Sequence, residues 1–274
     1  MNVSVFGLGI IGSIWAQHYA ADGLLAAAWN RSAKPGLPCW QPDALAAAHA
    51  GDILQLVVAD PPAVSQVLEA IAPALGPTKV VVQSSTIDPS SARQFSERVQ
   101  ATGAAYVEAP FTGSRPAAEQ RSTIYYLGGK LESIDLVEAV LSRVSKTRFR
   151  VGGPAQAAAL KLSMNLQIAT ITQALVEGLT FARSAGIEDD LFFEVLSSNV
   201  ACSGLVAMKG PKLRAADFAP QFSVKHLLKD LKLTLGATPS GKLPATQLLA
   251  EQLQRVADAG WAEEDFSALL KLMG

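Results

Sequence analysis

The chain has 274 residues, 49% of them hydrophobic and 17% charged, with a formal net charge of -1. That length holds one large or two modest domains with real cores, and the near-neutral balance leaves no footprint for a nucleic-acid partner. Apolar runs such as 55–58 are too short to cross a membrane, and two distant cysteines with three scattered histidines support neither a disulfide framework nor a metal site.

Met1 leads directly into Val3-Ser4-Val5-Phe6, a short apolar strand, with no room for a signal segment, so the cytoplasm is the expected compartment. Gly7-Leu8-Gly9-Ile10-Ile11-Gly12 follows, and residues 13–21 continue as a helix. This is the spacing of a dinucleotide fingerprint: one glycine for the tight turn, one for close approach of a pyrophosphate, one for helix-strand packing. Helix N-terminal amides then face the anion. The second strand, 24–29, ends in Asn30-Arg31-Ser32. An NAD site usually carries an acid here for the ribose hydroxyl, and an arginine instead receives the 2'-phosphate of NADP. No acid is present, so Arg31, with Asn30 and Ser32 as neutral donors, points to NADP(H); the alternative is a solvated turn arginine.

Further strands are expected at 53–58, 80–83, 105–107, 124–127 and 149–151, with helices over 62–72 and 89–102 between them, which predicts a mostly parallel sheet covered by helices. Functional groups in such a sheet belong at the C-terminal strand ends. Asp60-Pro61-Pro62 and Ser84-Ser85-Thr86 lie there and either line a cofactor cleft or cap helices. Glu108-Ala109-Pro110-Phe111-Thr112-Gly113-Ser114-Arg115-Pro116 reads as a rigid loop presenting hydroxyls and amides to a small anion, with Arg115 as a clamp, or else as an ordinary turn.

After residue 151 the pattern changes. A long helix is expected over 155–185 with Gly186 as its stop, followed by helices over 189–197, 204–209, 223–235, 244–259 and 266–272. The fold expected is an α/β Rossmann-type N-terminal domain, 1–152, and a second, all-α C-terminal domain, 153–274, opened by the long helix. On that helix Lys161 and Asn165 share a face among apolar neighbours. A lysine beside a bound carbonyl can donate a proton as charge develops on oxygen, and an asparagine can hold the same substrate; a snorkelling lysine is the alternative. Lys229-Asp230 is a second candidate pair, of which at most one member is expected to point into a cleft, since adjacent residues do not share a helix face. His226 is expected to be exposed.

Taken in order, the glycine turn, the stretch from Glu108 to Ser114, Lys161 with Asn165, and Lys229-Asp230-Leu231 resemble the β-hydroxyacid dehydrogenases related to 3-hydroxyisobutyrate dehydrogenase and tartronate semialdehyde reductase, and most of all their glyoxylate and succinic semialdehyde reductase branch. The resemblance covers essentially the whole chain. It implies NADP(H)-dependent interconversion of a small aldehyde acid and its hydroxy acid, with Lys161 as general acid and Asn165 beside the substrate. It further implies Thr112, Gly113 and Ser114 on the carboxylate, Lys229 near the nicotinamide, and a homodimer or homotetramer built through the helical domain. The related imine reductases generally lack the lysine. Departures are Ala155 and Ala157 where the family carries glycine, and Phe111 and Thr112 where valine and serine are usual. Alternatives are reduction of a bulkier ketone or imine, or an NADP-binding protein without catalysis.

Overall fold

The computed structural model describes residues 1–273, which divide into two compact units, Met1–Lys161 and the residues from Leu162 onward. The first is a sheet of eight strands: β1 (Val3–Phe6), β2 (Leu25–Trp29), β3 (Ile53–Leu56), β4 (Val80–Gln83), β5 (Ala105–Glu108), β6 (Phe111–Thr112), β7 (Thr123–Gly129) and β8 (Ser145–Gly152). Their order is β2-β1-β3-β4-β5-β7-β6, with β8 also paired to β7. The first five are parallel, as the sequence predicts; β7 runs antiparallel to both β5 and β6, so one margin departs from the parallel expectation.

Helices α1 (Ile10–Ala21), α2 (Ala44–Ala50), α3 (Pro61–Ile71), α4 (Pro89–Gln100), α5 (Arg115–Glu119) and α6 (Leu131–Leu141) cover this sheet. Three of them start on aspartates. Asp43, Asp60 and Asp88 accept hydrogen bonds from first-turn amides, and proline stands at the first position of α3 and α4. At the other end of α2, the Lys79 ammonium donates to the carbonyls of Ala48, His49 and Gly51, which opposes the negative helix end. Two apolar cores form, one on each sheet face: Val5, Trp15, Val82 and Tyr125 belong to one, Phe6, Leu54, Val81 and Tyr106 to the other. Every residue of β3 and β4 is buried, which suits parallel strands covered on both sides.

The long helix α7 runs from Pro154 to Ser184. Its first turns belong to the first unit: Ala157 and Ala158 are buried there, and a Cβ on Gly128 would lie 2.8 Å from the Ala157 methyl. The unit division therefore falls inside the helix rather than at its start. Gly186, at φ 77°, ends it in the left-handed conformation that glycine adopts without a Cβ clash.

The second unit is helical: α8 (Asp189–Ser197), α9 (Gly204–Arg214), α10 (Val224–Gly236), α11 (Pro244–Val256) and a closing 3-10 segment, Phe266–Met273. Leu227, Leu231, Leu253, Phe266 and Leu269 lie in one core. Inside it, Asp265 collects five hydrogen bonds: from Lys209 Nζ at 2.8 Å, Ser267 N at 3.2 Å and Oγ at 2.8 Å, Gln221 N at 3.0 Å and Phe222 N at 3.3 Å. No described helix is long and apolar enough to cross a membrane.

Candidate active site

The strand order reverses at β1, which has β2 on one side and β3 on the other. A crevice therefore opens at the C-terminal ends of β1 and β3, where open α/β sheets bind ligands. Gly7 through Gly12 forms the turn from β1 into α1 there, and its three glycines are glycine for different reasons. Gly7 sits at φ 101°, and a Cβ would lie 2.2 Å from the Val57 carbonyl oxygen; a Cβ on Gly12 would lie 1.9 Å from the Gly7 oxygen. Those two are demanded by the protein itself. A Cβ on Gly9 would meet no atom within 4 Å. Nothing in the chain requires glycine at that position, so the space it leaves is available to something outside the chain. The residue opens α1 as its N-cap with no side-chain cap, and the first-turn amides are left for an anion.

Asn30 braces this turn. Its Oδ1 accepts from Leu8 N at 2.8 Å and its amide donates to the Ser32 oxygen at 2.9 Å, so it shapes the glycine turn where the sequence reading gave it to a phosphate. Arg31 and Ser32 beside it are exposed. Asp60 caps α3 through Ala63 N at 2.9 Å, with Pro61 as that helix's first residue. Ser85 is buried, its Oγ accepting from Val58 N at 2.8 Å, and Thr86 follows half-buried. The glycine turn, the β3 loop and the β4 loop thus meet at one crevice.

The stretch from Glu108 to Pro116 is not one loop. Phe111 and Thr112 form β6 against β7, and Arg115 already opens α5. Phe111 packs edge-on against Trp15, 4.7 Å between ring centres, and near Tyr125 at 6.1 Å, so its bulk fills a sheet-face aromatic cluster. Gly113 turns the chain at φ 117°, and Ser114 caps α5 without a side-chain bond. Arg115 pairs with Glu119 at 2.8 Å and lines an open groove with Ile10, Ser13, Ile14, Gln17 and His18 of α1. The two α7 alanines also resolve: Ala157 faces the sheet at Gly128, where its methyl fills a helix-strand contact, and Ala155 is half-buried.

Lys161, 8% exposed, and Asn165, 1% exposed, lie one turn apart on α7. The Asn165 amide donates to Asp230 Oδ2 at 2.5 Å, and Asp230 Oδ1 lies 2.9 Å from the Lys229 ammonium. The α10 pair, of which at most one member was expected to point into a cleft, is joined: Lys229 folds back over a buried aspartate that orients Asn165. His226 is exposed, its Nδ1 2.7 Å from Ser223 Oγ. No group of three or more metal-ligating side chains gathers among the described residues.

Two features escape a reading by motif. Glu108 is a fully buried carboxyl, bonded to Gln83 and Tyr106, with burial pushing its titration up to about 8. Asp265 holds the helical core together. The first had a signal: Gln83 and Glu108 each close an otherwise apolar strand, and β4 and β5 pair with these two in register.

A glycine turn at the switch point of a doubly wound sheet, joined in sequence to an all-helical unit, marks a dinucleotide-binding protein. The chain belongs to the β-hydroxyacid dehydrogenase family: residues 2–153 match the model of the NAD-binding domain of 6-phosphogluconate dehydrogenase, and 155–273 that of the NAD-binding domain of NADP-dependent 3-hydroxyisobutyrate dehydrogenase. An uncharacterized oxidoreductase of Synechocystis is 29% identical, over 99% of this chain and 98% of its own. Glyoxylate/succinic semialdehyde reductase 2 of Arabidopsis thaliana is 26% identical, over 100% of this chain and 79% of its own. A 3-hydroxyisobutyrate dehydrogenase from Salmonella typhimurium shares the fold with a TM-score of 0.87 at 23% identity, each chain 99% covered.

Proposed function

We propose that the protein is an NADPH-dependent reductase that converts a small aldehyde acid of the glyoxylate, succinic semialdehyde or tartronate semialdehyde class to its hydroxy acid. The observation that carries the reading is the pairing of the glycine turn at the switch point, whose Gly9 leaves open space beside uncapped first-turn amides, with a lysine held almost out of water on α7 beside an oriented amide. Residues 1–152 form the nucleotide domain and 153–274 the substrate and oligomerisation domain. The cofactor fits what the crevice offers: the turn from Gly7 to Gly12 with Leu8, Ile10 and Ile11 for the pyrophosphate, Arg31 and Ser32 for the 2'-phosphate, and Asp60, Pro61, Ser85 and Thr86 along its length; Lys229 on α10 is proposed as a further cofactor contact. When bound, it supplies a hydride to the carbonyl carbon of the substrate.

The chain's own residues do the rest. Lys161 holds a proton at Nζ and delivers it to the carbonyl oxygen as negative charge grows there; in the reverse direction its neutral form takes that proton back. Asn165, turned by Asp230, keeps the substrate oriented. Thr112, Gly113 and Ser114 receive the carboxylate, with Arg115 released from Glu119 to add a charged partner. Exposed Phe181, Leu191, Val195 and Val200 on the helical unit support assembly into a homodimer or homotetramer, and the enzyme works in the cytoplasm.

The test is the loss of NADPH absorbance with each of the three aldehyde acids, repeated with NADH. Rapid turnover of one of them with NADPH is expected; tight NADPH binding with no turnover on any of the three would sink the reading. Two variants probe the cofactor assignment. Gly9→Ala is expected to melt at the wild-type temperature, since its methyl meets no protein atom, yet to bind NADPH at least about tenfold more weakly, because charge-assisted bonds of about 1.5–3 kcal/mol are pushed out of reach. Unaltered NADPH affinity in that variant would remove the pyrophosphate from this turn. Arg31→Ala is expected to lower the preference for NADPH over NADH by about tenfold or more, the value of one charged hydrogen bond. A preference left as it was would assign the 2'-phosphate elsewhere.

A further inference from the structure

Glu108 ends β5 with no exposed surface. Its Oε1 accepts from Gln83 Nε2 at 2.8 Å, and its Oε2 is hydrogen-bonded to the Tyr106 hydroxyl at 2.6 Å. The same Gln83 amide is locked to the chain just beyond β4: Nε2 also donates to the Ser85 oxygen at 3.0 Å, and Oε1 accepts from Ser85 N at 2.6 Å. Ser85 Oγ in turn accepts from Val58 N at 2.8 Å, in the loop after β3. A continuous run of hydrogen bonds therefore joins one buried carboxyl to the backbones of both loops that flank the glycine turn.

We propose that Glu108 is a positioning residue for the nucleotide crevice: through Gln83 it fixes Ser85, and through Ser85 it fixes the 57–60 loop. This rests on the reading that those loops hold the cofactor. The working form is the neutral acid, whose hydrogen lies in the Oε2–Tyr106 contact and is donated to the hydroxyl. Burial is the largest influence and pushes Glu108 up to about 8, Asp88 adds to the rise, and the bonds from Tyr106 and Gln83 oppose it. The titratable groups on the elements packed around it are Tyr106 on its own strand, Asp88 at the start of α4, Tyr125 and Tyr126 on β7, Glu132, Asp135 and Glu138 on α6, and Lys161, one turn beyond the Ala158 that shares a core with Tyr106. Arg93, Glu97 and Arg98 of α4 point to solvent.

Ionisation would place a charge inside an apolar surround. The simplest relief is to admit water or swing the carboxylate out, and either movement breaks the Gln83 bond. The sign of the pH effect follows. A carboxyl in the unfolded chain loses its proton near pH 4.3, while the folded protein keeps it up to about 8. Between those values only the folded state carries the proton, so stability falls as pH rises, and above them it levels off. Glu108→Gln has the same shape and can accept from Gln83 and donate to Tyr106 at every pH.

The experiment is an NADPH titration of wild type and Glu108→Gln from about pH 7 to about 9.5, above the range where a phosphate group itself titrates. Wild-type affinity is expected to fall at least about fivefold with a midpoint near 8, while Glu108→Gln stays within about twofold of its value at pH 7. Parallel profiles in the two proteins would overturn the proposal. Should wild type bind no NADPH at any pH, the cofactor reading fails, and amide exchange in the 56–60 segment of the free protein decides this one. Exchange faster in wild type than in Glu108→Gln at high pH alone supports it; equal exchange throughout overturns it.

Discussion

Replacing Lys161 with alanine is expected to cut turnover at least about a hundredfold while NADPH binds within about twofold of wild type. The expectation begins with the helix. Lys161 is 8% exposed on a 31-residue helix whose first turns are buried in the sheet unit, so its backbone is held firmly. Asn165, one turn on, is fixed by Asp230 at 2.5 Å, which sets the direction of the amide proposed to hold the substrate. An aldehyde that accepts hydride must gain a proton at oxygen, and water reaches a buried position poorly. Positioned proton transfer is worth about a hundredfold to ten-thousandfold, so its loss appears in kcat, whereas the contacts proposed for the pyrophosphate and 2'-phosphate lie elsewhere in the chain. Steady-state kinetics and an NADPH titration on one preparation separate the two quantities. An alanine variant turning over at the wild-type rate would strip Lys161 of the role, and a parallel loss of NADPH affinity would recast it as a cofactor ligand.

Asp265→Ala is expected to destabilise the helical unit by about 3–5 kcal/mol. Lys209 and Asp265 have side chains only 1% and 0% exposed, 2.8 Å apart. The ammonium also donates to Gln221 at 3.0 Å and lies 4.5 Å from the centre of the Phe266 ring. Desolvation already holds the Lys209 pKa below its ordinary value, against the pull of Asp265. Removing the carboxylate leaves that cation buried without its counter-charge, and strands the amides of Gln221 and Phe222 as well. The cost belongs to the orphaned partner more than to the lost attraction, which makes a distinct prediction: Lys209→Met combined with Asp265→Asn is expected to recover about half or more of the loss. Urea unfolding of the single and the double variant checks it. A single variant within about 1 kcal/mol of wild type would mean that water enters the site and solvates the lysine.

How much of this was legible in the sequence depends on what carried each signal. The parallel strands could be read because residues 53–56 and 80–83 are buried on both faces and hence nearly all apolar. Helix α6 could not, since Leu131 and Leu136 are 60% and 50% exposed and blur its apolar stripe. The heptapeptide of α2 is mostly alanine and takes its ends from Asp43 and Lys79, and the latter lies 29 positions beyond the helix end. Among the site candidates, the glycine turn was legible because its spacing encodes its geometry. Asn30 was read as a ligand donor because its actual partner, the Leu8 amide, comes near only through the parallel pairing of β1 and β2. Phe111 and Ala157 were legible only as departures, since a departure from a family pattern does not say which way a side chain faces. Glu108 sat inside a motif read as substrate loop, and its partner Gln83 lies 25 positions earlier, so only strand register joins them.

The central place of β1 also governs how the sheet is assembled. Val3 pairs with Leu25 on one side and with Ile53 on the other, so the middle strand of the nucleotide crevice precedes both neighbours in the chain. Until the segment around Ile53 arrives, one edge of β1 stays open and its hydrogen-bonding groups are solvated. Closing a loop of that length is an entropic toll levied before the Gly7 turn can seat on Val57, so the rate at which this unit folds is set by a long-range encounter and owes little to helix propensity.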